Sequence, residues 1–430
     1  MLSVTWSFVP FYRRCNNHSR GNIIGQVREG SPPISLQHTC TTSSSVISSA
    51  QFALGETNIV RVNPEGVQRA AEYISRKIVA EQYTPRTWRA QPLHICPPEP
   101  YSPSNPLTTQ CLNWIFLISA LNFSFWSEKE GTIERYGVEW RKGWDTTLER
   151  SVHTGYWSLV AALNRALEEN IPITDPAFYS SEYICPDSLI SHVFRAAPHS
   201  TEQIPLLKER IAIMREVGFI LCTEFGGSYF GFLEAFQKRH RGRGTAFDLA
   251  QMVTDAFPSF RDEQWLNGQR ILFWKRPQIL VAETWAAFYP KVSTDPHPIF
   301  PSGPSIGGLT MFADYRVPQI LHHLCILEYP SSLVKELRTG TCLAPGSREE
   351  ISLRAASIIA VEHVRQEILR FRDRPAKNDV DKSTSEDISS VLIDFYLWDL
   401  AKKIERGEEQ IQGVETADMV PAHRTRSIWY

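Results

Sequence analysis

Three aspartates stand in sequence that otherwise reads as protein interior. Asp314 lies in Leu309-Thr-Met-Phe-Ala-Asp-Tyr-Arg-Val-Pro-Gln-Ile-Leu321, and Asp394 and Asp399 lie in Val391-Leu-Ile-Asp-Phe-Tyr-Leu-Trp-Asp-Leu400. An ionised carboxylate is costly to take out of water unless a cation, N–H donors or a ligand meets it. In a dry site such a group can steady a developing positive charge, accept a proton or orient a water. Each acid also has a structural reading. Asp314 precedes Tyr315-Arg316 and Pro318, a pattern that predicts a helix start, where a carboxylate caps the backbone and gains from the helix dipole. Asp394 and Asp399 can equally cap neighbouring helices or pair internal arginines, and on the residues alone these alternatives stay open.

The elements that must position these acids are helices. Ile388, Leu392, Ile393, Phe395, Tyr396, Leu397, Trp398 and Leu400 cover most of a helix circumference, which predicts a helix over 388–406 that is buried nearly all round. Asp394 and Asp399 fall about 140° apart on it, so one ligand meets both only by straddling the helix edge. Asn63-Pro64-Glu65 reads as a cap followed by proline at the first helical position, with Val67, Ala70, Ala71, Ile74 and Ile78 at helical spacing. Further helical patterns run over 157–170, 205–225, 247–257, 278–288, 318–328 and 349–372. The best strand candidate is 270–275. Five prolines between Pro97 and Pro106 predict a loop, and the polar stretches 290–308 and 373–386 predict surface loops just ahead of the acid-bearing segments. The fold class is therefore mainly α with a minor β component, in a single large helical domain over 59–430. Residues 1–58 read as a disordered or targeting-like extension: Arg13, Arg14, Arg20 and Arg28 face a single acid, Glu29, ahead of a Ser/Thr-rich tract.

Composition narrows the partners. Across 430 residues, 45 basic and 47 acidic side chains leave a formal charge of -2, which offers no general attraction for a nucleic-acid polymer or an anionic membrane. A small-molecule ligand is the better expectation. The eight cysteines show no CxxC pair and no repeated short spacing, which predicts reduced thiols in an intracellular protein and neither a zinc site nor a disulfide framework. The expected compartment is the cytoplasm or nucleus, with mitochondrial import through the extension as the lesser alternative. The apolar run from Trp114 to Trp126 is short of the ~20 residues a spanning helix needs. No GxxxxGK(S/T), GxGxxG, HExxH or GxSxG motif is present, and no histidines take metal-ligand spacing, so no metal or cofactor is expected. Aromatics cluster at 121–127 and 155–157, where they either stack on a base or belong to the core.

Taken in order, LNFSFWSE (121–128), GYWSLVAALNRALEENIPIT (155–174), FGGSY (225–229), FPSFRD (257–262), KRPQILVAETW (275–285), TMFADYRVPQIL (310–321), LIDFYLWD (392–399) and HRTRSIWY (423–430) resemble the queuosine salvage protein family. The resemblance implies a helical fold of the DNA-glycosylase type and hydrolysis of the N-glycosidic bond of queuosine 5'-phosphate. It further implies Asp314 as catalytic residue, with His94, Phe312, Asp394, Phe395 and Asp399 binding the substrate. Family members often carry tyrosine where Phe395 stands. Lys275, Arg276 and Arg316 lie in matching segments and are candidates for the phosphate. Two other readings remain: a glycosylase of DNA or another nucleoside, and a non-catalytic helical binding protein whose acids are structural.

Overall fold

The computed structural model describes residues 45–292, 295–300, 305–372 and 388–430. Helices form where the sequence pattern asks for them. Asn63 caps Pro64–Ala80 by accepting the Glu65 N–H at 3.1 Å. Pro106–Ala120 begins at Asn105 in the same way and is buried on nearly every face. Tyr156–Glu168, Leu207–Glu224, Ala246–Ala256 and Lys275–Ala287 follow within two or three residues of their expected bounds. Arg348–Arg372 and Ser390–Glu405 do the same, the latter capped by Ser389. The β component is limited, among the described residues, to two-stranded antiparallel pairs, one of them Glu263–Leu266 with Gln269–Leu272. No described helix is long and apolar enough to cross a membrane.

Two expectations are corrected. The domain was expected to start at residue 59, yet Ser45–Thr57 is a helix with Val46, Ala50 and Ala53 fully buried. Its Ser49 exchanges hydrogen bonds with the Leu272 backbone, so this segment belongs to the folded body. The rest of the predicted extension, and the predicted 373–386 loop, lie outside the described residues. The helix expected over 318–328 ends at His323. Cys325 takes a left-handed φ of 57°, Ile326 N–H returns to the Leu321 carbonyl, and Leu327–Glu328 pairs as a strand with Arg61–Val62.

Two apolar cores organise the body. One gathers the helices Pro106–Ala120, Tyr156–Glu168, Leu207–Glu224 and Lys275–Ala287. The other gathers Ser45–Thr57, Pro64–Ala80, Arg316–His323, Arg348–Arg372 and Ser390–Glu405. The Asp314 loop is threaded between them: Phe312 packs in the first core, Met311 and Ala313 in the second. The acids singled out from sequence thus arrive at the seam between two hydrophobic bodies.

Candidate active site

A cavity of about 620 Å³ opens at that seam, within the usual range for a small-molecule site. Asp314, Asp394 and Asp399 all line it, so the two acids of one helix do meet a single space.

Asp314 serves two ends at once. Its Oδ1 accepts the Arg316 and Val317 N–H groups at 2.8 and 2.9 Å, satisfying the first amides of the Arg316–His323 helix from the residue before its N-cap, Tyr315. Its Oδ2 accepts no hydrogen bond from the described residues, and the side chain faces the cavity. Burial raises its pKa, opposed chiefly by the Lys275 ammonium. Asp394 lies 3 % exposed and accepts the Phe312 N–H at 2.9 Å. Burial, and next the neighbouring Asp314 charge, hold its pKa well above the carboxylate range. Two acids within electrostatic reach of each other do not both ionise readily in a dry site. Burial thus pushes both carboxyls up, and Asp394, which also feels the Asp314 charge, is the more strongly raised of the two.

Lys275 favours the ionised form of both acids and is the chief opposing influence on Asp314. Its Nζ donates to the carbonyl and side-chain oxygens of Asn122 at 2.8 and 2.9 Å, and burial lowers its pKa to about 8. Because Lys275 favours the ionised form of Asp314, removing it must raise the Asp314 pKa. In Lys275→Met the acidic limb of the activity profile should therefore move up by about one pH unit. A limb that stays in place in the residual activity of that variant refutes the pairing.

The loop bearing Asp314 is held from behind. Arg354 donates from Nε to the Ala313 carbonyl at 2.9 Å and grips Asp262 with both terminal nitrogens. Glu350 accepts from the same guanidinium at 3.2 Å, and all three side chains are buried. Asp262 in turn accepts the Lys275 N–H at 3.2 Å, where the Lys275 helix starts. One buried ion cluster thus sets both the Asp314 loop and the Lys275 helix.

Around the acids the wall is aromatic. Phe312 and Phe395 lie 5.8 Å apart between centroids, and Tyr83 donates to Asp399 at 2.6 Å. Burial raises the Asp399 pKa. His94 packs 4.1 Å from Trp88, with Nδ1 at 2.8 Å from the Trp88 carbonyl. Because a carbonyl only accepts, Nδ1 carries the proton; burial pulls the ring pKa to about 4, leaving Nε2 a free acceptor. Of the aromatic clusters read from sequence, Phe125, Trp126, Tyr156 and Trp157 line the cavity, whereas Phe123 is core.

The basic candidates separate. Arg276 does not line the cavity: its guanidinium is fully buried and donates to the carbonyls of Ala120 and Ser259, which removes it from the phosphate candidates. Lys275 lines the cavity within electrostatic reach of Asp314. Arg316 lines the cavity beside Lys402 and Arg135, with Glu405 accepting from Arg316 at 3.3 Å and from Lys402 at 2.7 Å. Asn122, Arg135, Lys402, Tyr83 and Glu283 are wall residues that sequence reasoning passed over. Glu283 carried the same signal as Asp314, an acid inside the apolar run Ile279-Leu-Val-Ala-Glu-Thr-Trp285.

Comparison with known proteins shows the family. The profile of the family described as "Queuosine salvage protein" matches residues 101–430. The chain is similar to proteins named "Queuosine 5'-phosphate N-glycosylase/hydrolase" from three distant organisms. It is 38% identical over 394 residues to the Schizosaccharomyces pombe protein, covering 90% of this chain and 100% of that one. It is 36% identical over 384 residues to the Mus musculus protein, covering 89% and 97%. The Sphaerobacter thermophilus protein is 33% identical over 385 residues, covering 90% and 97%.

Proposed function

The chain belongs to the queuosine salvage protein family, and from that membership we propose that it hydrolyses queuosine 5'-phosphate to queuine and ribose 5-phosphate. The observation that carries this reading is the meeting of two carboxyls, Asp314 and Asp394, within electrostatic reach of each other on one cavity of about 620 Å³, with Asp314 Oδ2 left unused by the described residues.

The chemistry follows from the bond to be broken. As the C1'–N bond opens, its electron pair leaves with the base and the ribose becomes oxocarbenium-like. The free Oδ2 of Asp314 is suited to stabilise that cation and then to take the proton of the attacking water. Water delivers hydroxyl to C1', and the base leaves with a proton. Queuine is a 7-deazaguanine and has no N7 to protonate, so the sugar cation must be stabilised more strongly. Asp394, held as the acid, can donate to an acceptor on the departing base. The N1–H and amino group of the guanine-type edge suit the free His94 Nε2 and the Asp399 carboxyl as acceptors. Phe312 and Phe395 supply an apolar wall for the ring.

Arg316 is the remaining phosphate candidate from the sequence, with Lys402 and Arg135 beside it. Arg316→Ala should raise KM for the 5'-phosphate roughly ten- to a hundredfold and change KM for the dephosphorylated nucleoside little. Equal effects on both substrates place the phosphate elsewhere. The free thiols at Cys96, Cys111, Cys185, Cys222, Cys325 and Cys342 support the cytoplasm as its compartment. The reading is tested by incubating the purified protein with queuosine 5'-phosphate and detecting free queuine by mass; absence of queuine sinks it.

A further inference from the structure

Three glutamates line the cavity without a part in the mechanism, and of these Glu130 pairs with Arg135 and Glu405 with Arg316 and Lys402, whereas Glu283 has no cationic partner within salt-bridge distance among the described residues. The Lys275–Ala287 helix presents Lys275, Ile279 and Glu283 to the cavity, spaced four residues apart on one face. Eight residues separate Glu283 from Lys275, about 12 Å along the helix axis, and the Lys275 ammonium still acts on the Glu283 carboxyl electrostatically. The residue is 7 % exposed. Its Oε1 accepts from the Tyr156 hydroxyl at 3.3 Å, while its buried Oε2 has no hydrogen-bond partner among the described residues. An orphaned buried carboxyl oxygen is costly unless a ligand completes it.

Three rings stand beside it. Tyr156 and Trp157 lie 4.9 Å apart between centroids, and each lies 5.9 Å from Trp398. All three line the cavity. The rings meet edge to face, with Tyr156 the one that touches Glu283, and aromatic rings grouped near a carboxyl attract a desolvated ammonium through their quadrupoles and the negative charge. Lys402 reaches Trp398 at 5.8 Å, yet it pairs with Glu405. We propose that Glu283, with Tyr156, Trp157 and Trp398, receives an ammonium group carried on the base of the substrate and so selects that base over an unsubstituted 7-deazaguanine. This assignment rests on the proposed function, in which the base bears a cationic amine on its cyclopentenediol arm. Burial raises the Glu283 pKa to about 8, so the empty cavity need not hold a bare anion there, and an arriving cation draws the carboxyl into its ionised form.

The test compares free bases by calorimetry on the full chain. Glu283→Gln keeps the acceptor for Tyr156 and removes the charge. It should weaken queuine on the order of 30-fold while leaving 7-deazaguanine within about twofold. Equal loss on both bases, or loss on neither, overturns the assignment. A second measurement needs no variant: the wild-type protein should bind queuine at least about tenfold tighter than an analogue with an ether oxygen in place of the amine. Equal affinities overturn it as well. If the wild-type protein releases no queuine from queuosine 5'-phosphate, the functional reading itself fails, an outcome distinct from release with unaltered Glu283→Gln binding.

Discussion

Asp314→Asn should lower turnover of queuosine 5'-phosphate on the order of a thousandfold while the protein stays folded. The asymmetry follows from the two ends of the side chain. Oδ1 caps the Arg316 and Val317 N–H groups, and an asparagine carbonyl oxygen accepts those bonds equally well. What disappears is the negative charge at Oδ2, the only property that a ribosyl cation feels. Asp314→Ala is a useful contrast, because it removes the cap too and should cost about 1 kcal/mol of stability in addition. Steady-state release of queuine, read with a thermal melt of each variant, separates the two effects. Turnover of the asparagine variant within tenfold of wild type contradicts the catalytic role.

The largest effect on stability should come from Arg354→Ala, a loss of roughly 3–5 kcal/mol. Arg354 is fully buried and is shared by Asp262, Glu350 and the Ala313 carbonyl, with its guanidinium 3.9 Å from the Phe273 ring. Truncation leaves two carboxyl groups and a carbonyl in the interior without their donor, and an uncompensated buried charge costs far more than a surface one. Arg354→Lys should rescue little, since one ammonium cannot reproduce a planar fork that reaches three acceptors. The midpoint of chemical denaturation is the measurement, and a loss below about 1 kcal/mol contradicts this account. Because the same cluster holds the Asp314 loop, the folded fraction of either variant should also turn over more slowly.

Much of this was legible in the residues because the signals were local. The cap at Asn63, the uniform apolarity of 388–400 and the position of Asp314 just ahead of a helix all depend on neighbours within a few residues. The roles of the basic side chains were not legible. Lys275 and Arg276 are adjacent in sequence, yet one reaches Asn122 on the cavity wall while the other is spent on the carbonyls of Ala120 and Ser259. Which way each points is set by contacts more than 150 positions away in the chain, which no local pattern encodes. The helical start at Ser45 was hidden for a related reason: its serines look like a linker until Ser49 meets Leu272. Glu283 was legible by the rule that found Asp314, but its apolar neighbours made it pass for an ordinary helix position.

The division of the cavity wall between two cores has a bearing on partly made or clipped chains. A chain that stops short of residue 394 contains Asp314, Lys275 and Glu283 but lacks Asp394, Phe395, Trp398 and Asp399. Such a fragment has Asp314 without its neighbouring acid and without one wall of the cavity, so the cavity is complete only once the Ser390–Glu405 helix has joined the second core.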